Sequence, residues 1–185
     1  LDKNEARQFI DWANQHFPQV SINLYSGKDW MTDHLDQWSR EEARITGEKP
    51  LILPLLDPLL DMTKPLHKLL LIGDAEEIQA LYRAISADDF PSTAFYLSKA
   101  NYLEVTAKHV SKEDALVELA NHYHLSLEEV LTMGDNFNDL PMLRLAGLGV
   151  AMGNAPETVK TEAKAVTKSN NEHGVAEAIK EYVLG

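Results

Sequence analysis

Val130-Leu131-Thr132-Met133-Gly134-Asp135-Asn136-Phe137-Asn138-Asp139 is the stretch on which the fold turns. The apolar run Val130 to Met133 reads as a short strand, and Gly134 lets the chain turn sharply with no side chain in the way. Beyond it lie two carboxylates and two amides within five residues. On either side the pattern alternates. Ser111 with Asp114 caps a helix bearing Ala115, Leu116, Leu119, Ala120 and Tyr123, and Ser126 with Glu129 caps a one-turn helix leading into the strand. After it come a helix at Leu140 to Leu145, a strand at Leu148 to Met152, a proline-opened helix at Pro156 to Lys164, a strand at Ala165 to Thr167 and a closing helix at Val175 to Val183. Such alternation predicts a parallel sheet covered by helices, with any ligand beyond the carboxyl ends of the strands.

The residues before this block follow another grammar. Asp2 with Glu5 opens an amphipathic helix carrying Ala6, Phe9, Ile10, Ala13 and Phe17. Val20 to Tyr25 reads as a strand, Ser26-Gly27-Lys28-Asp29 as its turn, Trp30 to Thr46 as weakly helical, and the Pro-interrupted Leu51 to Leu60 as an irregular or short helical connection. His67 to Ile72 is a dense apolar strand followed by a helix from Glu76 to Ile85, and Ala94 to Leu97 with Tyr102 to Thr106 forms a hairpin. The expected organisation is an α+β domain over 1–107 with a partly antiparallel sheet, then an α/β domain over 108–185.

Composition narrows the function classes. A chain of 185 residues with 44% hydrophobic content has enough material for one large or two small domains. A formal charge of −12 leaves little positive field for nucleic acid or an anionic membrane. Zero cysteines exclude thiolate catalysis and thiolate-bound metal, and fit a cytoplasmic setting. Leu51 to Leu60 is the longest apolar stretch and far short of the roughly 20 residues that a spanning helix needs.

The acid and amide cluster at the end of the Val130 strand is a hard-oxygen set suited to Mg²⁺ and phosphate. A plain capping turn, with Asp139 as N-cap and Asp135 solvated, fits the bare hexapeptide equally well. Lys112 bears on the choice. At the first helical position after Ser111 a cation faces the positive end of the macrodipole, an arrangement unfavourable by roughly 0.3–1 kcal/mol unless a phosphate or acid stands in front of it. A lysine reaching into water is the bland account. Met152-Gly153-Asn154-Ala155-Pro156 lies at the next strand's carboxyl end, where capping alone explains Asn154 and Pro156. Ser169 to Gly174 borders the same edge or forms a polar turn. Gly27-Lys28 lacks phosphate-loop spacing, and Trp12, Trp30 and Trp38 are not interleaved with a basic stripe.

Three blocks together, His109-Val110-Ser111-Lys112-Glu113-Asp114-Ala115-Leu116, Gly134 through Leu143, and Val150-Ala151-Met152-Gly153-Asn154-Ala155, closely resemble the C-terminal half of haloacid dehalogenase-like hydrolases of the Cof type, the subgroup with a type IIB cap. The resemblance implies an α/β Rossmannoid parallel sheet, here only the C-terminal half of the core, plus an α+β cap. It also implies Mg²⁺-dependent hydrolysis of phosphate monoesters of small metabolites through an aspartyl-phosphate. Lys112 then resembles the lysine that neutralises nucleophile and phosphoryl charge, Asp135 the metal-binding acid, Asn138 the phosphate-contacting amide, and Asp139 the acid that supports Lys112 and the loop.

The family's nucleophile and general acid/base form a DxD motif on a first core strand ahead of the cap, and these 185 residues contain no DxD. Asp33 and Asp36 sit in a charged, weakly helical context and do not substitute. His109 and Glu113 replace the small residues usual beside the lysine. The expectation is therefore a phosphatase whose catalytic half lies outside this chain, the chain alone being inactive and its open sheet edge prone to self-association. A non-catalytic module holding a phosphorylated ligand is the alternative. A phosphoacceptor receiver domain fits less well, because it places its lysine after its acids.

Overall fold

Asp2 starts the first helix, its carboxylate accepting from the backbone N–H groups of Asn4 and Glu5 at 2.9 Å each. The computed structural model describes residues 1–61 and 63–185. The chain divides into two units, Leu1–His109 and Val110–Gly185.

The first unit runs α1 (Lys3–His16), β1 (Ser21–Ser26), β2 (Asp29–Thr32), α2 (Gln37–Thr46), β3 (Leu51–Ile52), α3 (Asp57–Leu60), β4 (Lys68–Ile72), α4 (Ala75–Ala84), β5 (Thr93–Lys99) and β6 (Tyr102–Ala107). Its six strands lie in the order β3-β2-β1-β4-β6-β5. Every pairing is antiparallel except β2 with β3. Period-2 alternation turns Ile22, Leu24, Leu69, Leu71, Leu103 and Val105 to one face. There they pack on Phe9 and Ile10 of α1 and on Ile78 and Leu81 of α4. These side chains are essentially removed from water, and each contributes roughly 1.5–3 kcal/mol of transfer free energy.

One difference from the sequence reading is β2. Gly27 and Lys28 are the only residues between β1 and β2, and Gly27 sits at φ +60. Positive φ at the first loop position is what a type II′ hairpin asks of glycine. Trp30 then falls opposite Tyr25, their rings parallel within 5° and 6.2 Å apart, and its indole N–H donates to Asn23 Oδ1 at 2.8 Å. This cross-strand pairing outweighs the charge-rich local pattern that suggested helix from Trp30. Helix α2 begins only at Gln37, and Leu51-Ile52 adds an edge strand parallel to β2 although both side chains are exposed.

Asp36 and Ser39 form a reciprocal capping box on α2, Ser39 N–H donating to Asp36 Oδ1 at 2.7 Å and Asp36 N–H to Ser39 Oγ at 3.0 Å. Asp36→Ala should cost this unit about 1 kcal/mol. All three tryptophans lie within Leu1–His109, so the loss is read as a lower urea midpoint by tryptophan fluorescence. An unchanged midpoint would show that the box is dispensable. On the sheet face under α2, the Tyr102 hydroxyl donates to Glu42 Oε2 at 2.7 Å. Burial, then the hydrogen bond to that carboxylate, pushes the Tyr102 phenol up.

The second unit runs α5 (Lys112–His122), β7 (Leu131–Gly134), α6 (Leu140–Leu145), β8 (Leu148–Ala151), α7 (Glu157–Glu162), β9 (Ala165–Val166) and α8 (Gly174–Tyr182), with 3-10 turns at Leu127–Glu129 and Phe137–Asp139. The strands are parallel in the order β7-β8-β9. Leu143 of α6 packs with Ala151, Ala155 and Val159 beneath α6 and α7. The apolar face expected for α5 is largely open: Leu119 is 55% and Tyr123 66% exposed, and among its described residues only Ala120 is buried. No helix among the described residues is long and apolar enough to cross a membrane.

Candidate active site

Strand β7 ends at Gly134, where an added Cβ would stand 2.4 Å from Asp139 Cβ. Glycine is therefore what lets the following 3-10 turn fold back over the strand end. Asn136 caps that turn, its side-chain oxygen accepting from Phe137 N–H at 2.8 Å. The fold-back turns the Asp139 side chain inward, and the residue is only 3% exposed.

A buried carboxylate needs donors, and Asp139 has them. Its Oδ2 accepts from the backbone N–H groups of Asp135 at 2.8 Å and Asn136 at 3.0 Å. Its Oδ1 accepts from Lys112 Nζ. Asp139 also occupies the N-cap position of α6, but its side chain makes no capping bond there. The capping account of this acid is replaced by one in which it ties the β7 loop to α5.

Lys112 is the first residue of α5, after the Ser111 cap. The unfavourable placement against the helix dipole is offset by the Asp139 carboxylate, so the side chain is not simply reaching into water. Half of it nonetheless stays solvent-accessible, leaving ammonium N–H groups open to an incoming anion.

Asp135 projects into solvent from the same loop. Its Oδ2 accepts from Asn154 Nδ2 at 3.1 Å, and Asn154 Oδ1 accepts from Asn170 N–H at 2.9 Å. No hydrogen bond to Asp135 Oδ1 is found among the described residues. Capping does not explain Asn154: helix α7 starts at Glu157, its N-cap residue is Pro156, and no side-chain cap bond is present. The polar turn after β9 does border this edge, through Asn170. Asn138 sits half-buried in the 3-10 turn, and no hydrogen bond joins it to Lys112, Asp135 or Asp139 among the described residues. Lys112, Asp135 and Asp139 are thus brought together, with Asn138 beside them and Asn154 added from the next strand. The signals in the sequence for Asn154 were its place just after β8 and its membership of the third resembling block, neither of which gave it a role toward Asp135.

No group of three or more His, Cys, Asp or Glu side chains is poised around a common metal position among the described residues. Mg²⁺ fits the donor chemistry on other grounds. It keeps most of its waters and takes one or two carboxylates together with substrate oxygens. Asp135 offers one exposed carboxylate, and the local charge of Asp135, Asp139 and Lys112 sums to −1. The arrangement can hold a hard cation at Asp135 and present an ammonium to an anion alongside it.

The sequence profile of the haloacid dehalogenase-like hydrolases matches residues 1–179. The chain belongs to that family. It is 38% identical over 165 residues to a Haemophilus influenzae protein named "Putative phosphatase", an alignment covering 89% of this chain and 61% of that one. A solved haloacid dehalogenase-like hydrolase from Bacteroides thetaiotaomicron is 32% identical with TM-score 0.80, covering 97% of this chain and 66% of that chain. The structure described as the subclass IIB sugar phosphatase BT4131 matches with TM-score 0.78 at 22% identity, covering 97% and 66% of the two chains, a likeness of fold alone. The fold is the family's α/β architecture, a Rossmann-like parallel sheet accompanied by an α+β cap. The haloacid dehalogenase-like chain spans about three fifths of the Haemophilus protein's length.

Proposed function

We propose that this chain supplies the metal- and phosphate-binding half of an Mg²⁺-dependent phosphatase that acts on small phosphorylated metabolites through an aspartyl-phosphate. The observation that supports this most is the Lys112 ammonium seated on the buried Asp139 carboxylate at the end of β7, with the exposed Asp135 carboxylate on the same loop. In this reading Asp139 holds Lys112 and the loop in place, Lys112 pairs with a phosphoryl oxygen, Asn138 contributes an amide contact, and Asp135 holds the cation. Bound there, Mg²⁺ supplies positive charge against the developing charge on the phosphoryl oxygens.

Attack on phosphorus also needs a free carboxylate nucleophile and a general acid/base. Asp139 is buried and saturated with donors, and Asp135 is assigned to the metal. The two missing acids are proposed to come from polypeptide outside these 185 residues. The outer edge of β7, which has no strand partner among the described residues, supports an added strand there. It also supports pairing with a second copy when that strand is missing. A cysteine-free composition supports a cytoplasmic setting.

Purified chain should hydrolyse p-nitrophenyl phosphate with Mg²⁺ no faster than its Asp135→Ala variant. Sustained Mg²⁺-dependent turnover that Asp135→Ala abolishes would overturn the division of the site. Inorganic phosphate should still bind. Lys112→Ala should weaken that binding about tenfold in a ³¹P NMR titration, the equivalent of one charge-assisted hydrogen bond of roughly 1.5 kcal/mol. Unaltered phosphate affinity would remove Lys112 from the site.

A further inference from the structure

We infer that Asn154 is a positioning residue for Asp135, its amide holding one carboxylate oxygen so that the other faces the cation. The inference rests on the reading of Asp135 as the Mg²⁺ ligand. The amide's orientation follows from the chemistry of its neighbours. Asn170 contributes a backbone N–H, which only donates, so the atom 2.9 Å from it is the Asn154 carbonyl oxygen. The NH₂ group therefore faces Asp135, and a carboxylate only accepts, so both bonds are satisfied in one orientation and neither in the other.

One side chain thus joins the loops after β7, β8 and β9 at a single edge. Holding those loops together does not depend on it. Met152 N–H already donates to Gly134 O at 2.9 Å, and Gly153 N–H to Lys168 O at 3.0 Å, bonding the same three loops through backbone. Asn154 and Asp135 are both exposed, where a hydrogen bond adds little to stability because water competes for the same groups. What the bond changes is the freedom of the Asp135 side chain. Without it the carboxylate samples several rotamers, and each cation-binding event must freeze them. Partners that orient a metal ligand in this way typically alter affinity by about 10–100-fold when removed.

The test is a titration with Mn²⁺ alone, followed by paramagnetic broadening of amide resonances near Asp135, with the thermal midpoint measured on the same samples. Wild type, Asn154→Ala and Ser169→Ala are compared, and Asp135→Asn sets the baseline. Ser169→Ala removes the capping box with Glu172 in the loop that carries Asn170 and touches neither Asp135 nor Asn154. Asn154→Ala should bind Mn²⁺ about tenfold more weakly with a midpoint close to wild type, while Ser169→Ala lowers the midpoint and keeps wild-type affinity. Asp135-dependent binding that is unchanged in Asn154→Ala, or reduced equally in Ser169→Ala, overturns the positioning role and leaves the metal assignment standing. Wild-type binding no stronger than that of Asp135→Asn overturns both.

Discussion

Asp139→Ala should destabilise the Val110–Gly185 unit by about 3 kcal/mol. Two backbone donors, the N–H groups of Asp135 and Asn136, end on Asp139 Oδ2. Leaving each without an acceptor costs roughly 1–3 kcal/mol. The ion pair with Lys112 adds less, because half of the lysine side chain already meets water and its ammonium rehydrates when the partner is gone. Far-UV circular dichroism in urea gives the stability, and tryptophan emission separates off the Leu1–His109 unit. Asp139→Asn keeps one acceptor for the loop N–H groups and should recover about half of the loss, while Lys112 still loses its anion. A loss below about 1 kcal/mol for Asp139→Ala would mean that water replaces the carboxylate, and the acid would then not be the anchor of the loop.

Gly149→Ala should be at least as damaging. Gly149 lies on β8, the central strand of the second sheet, and an added Cβ would stand 2.0 Å from the carbonyl oxygen of Leu143 in α6. That obstacle is backbone rather than the end of a flexible side chain, so relief requires α6 to lift from the sheet. Leu143 is fully buried between them. Overpacking of side chains typically costs about 1–3 kcal/mol. With a helix displaced, about 3 kcal/mol or more is expected. Helix α6 continues directly from the turn that carries Asp139, so the displacement also reaches the site. Amide hydrogen exchange should show protection lost across Leu131–Val166 and retained in β1, β4 and β6. Protection unchanged from wild type would show that α6 has slack at this contact.

Local signals carried most of the second unit. Caps at Ser111 and Ser126, the proline at the start of the α7 segment and the short apolar runs define elements within a residue or two of those observed, because each is decided by neighbours in the chain. Where an element is decided by the strand it pairs with rather than by its own residues, local reading failed. Strand β2 depends on Tyr25 and Asn23 across a tight hairpin. The two-residue β3 exists only because β2 offers an edge to pair with. The open face of α5 contradicts its amphipathic spacing, since spacing reports which residues share a face and not whether anything covers it.

The site divides in the same way. Residue type and order along the chain marked Lys112, Asp135 and Asp139 as candidates, because hard acids after a strand and a cation at a helix start are locally unusual choices, but left a capping turn and a solvated lysine open. The roles of all four residues, Asn138 included, came from the resemblance of the three motif blocks. Which partner each one found depends on the third dimension. The local 3-10 turn points Asp139 inward, but only the packing of α5 against that turn seats the Lys112 ammonium on it, and only with β7 and β8 side by side does Asn154 leave its expected capping duty to reach Asp135. Hydrogen bonds of a few ångströms between residues 19 and 27 positions apart are set by strand pairing and helix packing, and the sequence by itself carries no measure of either.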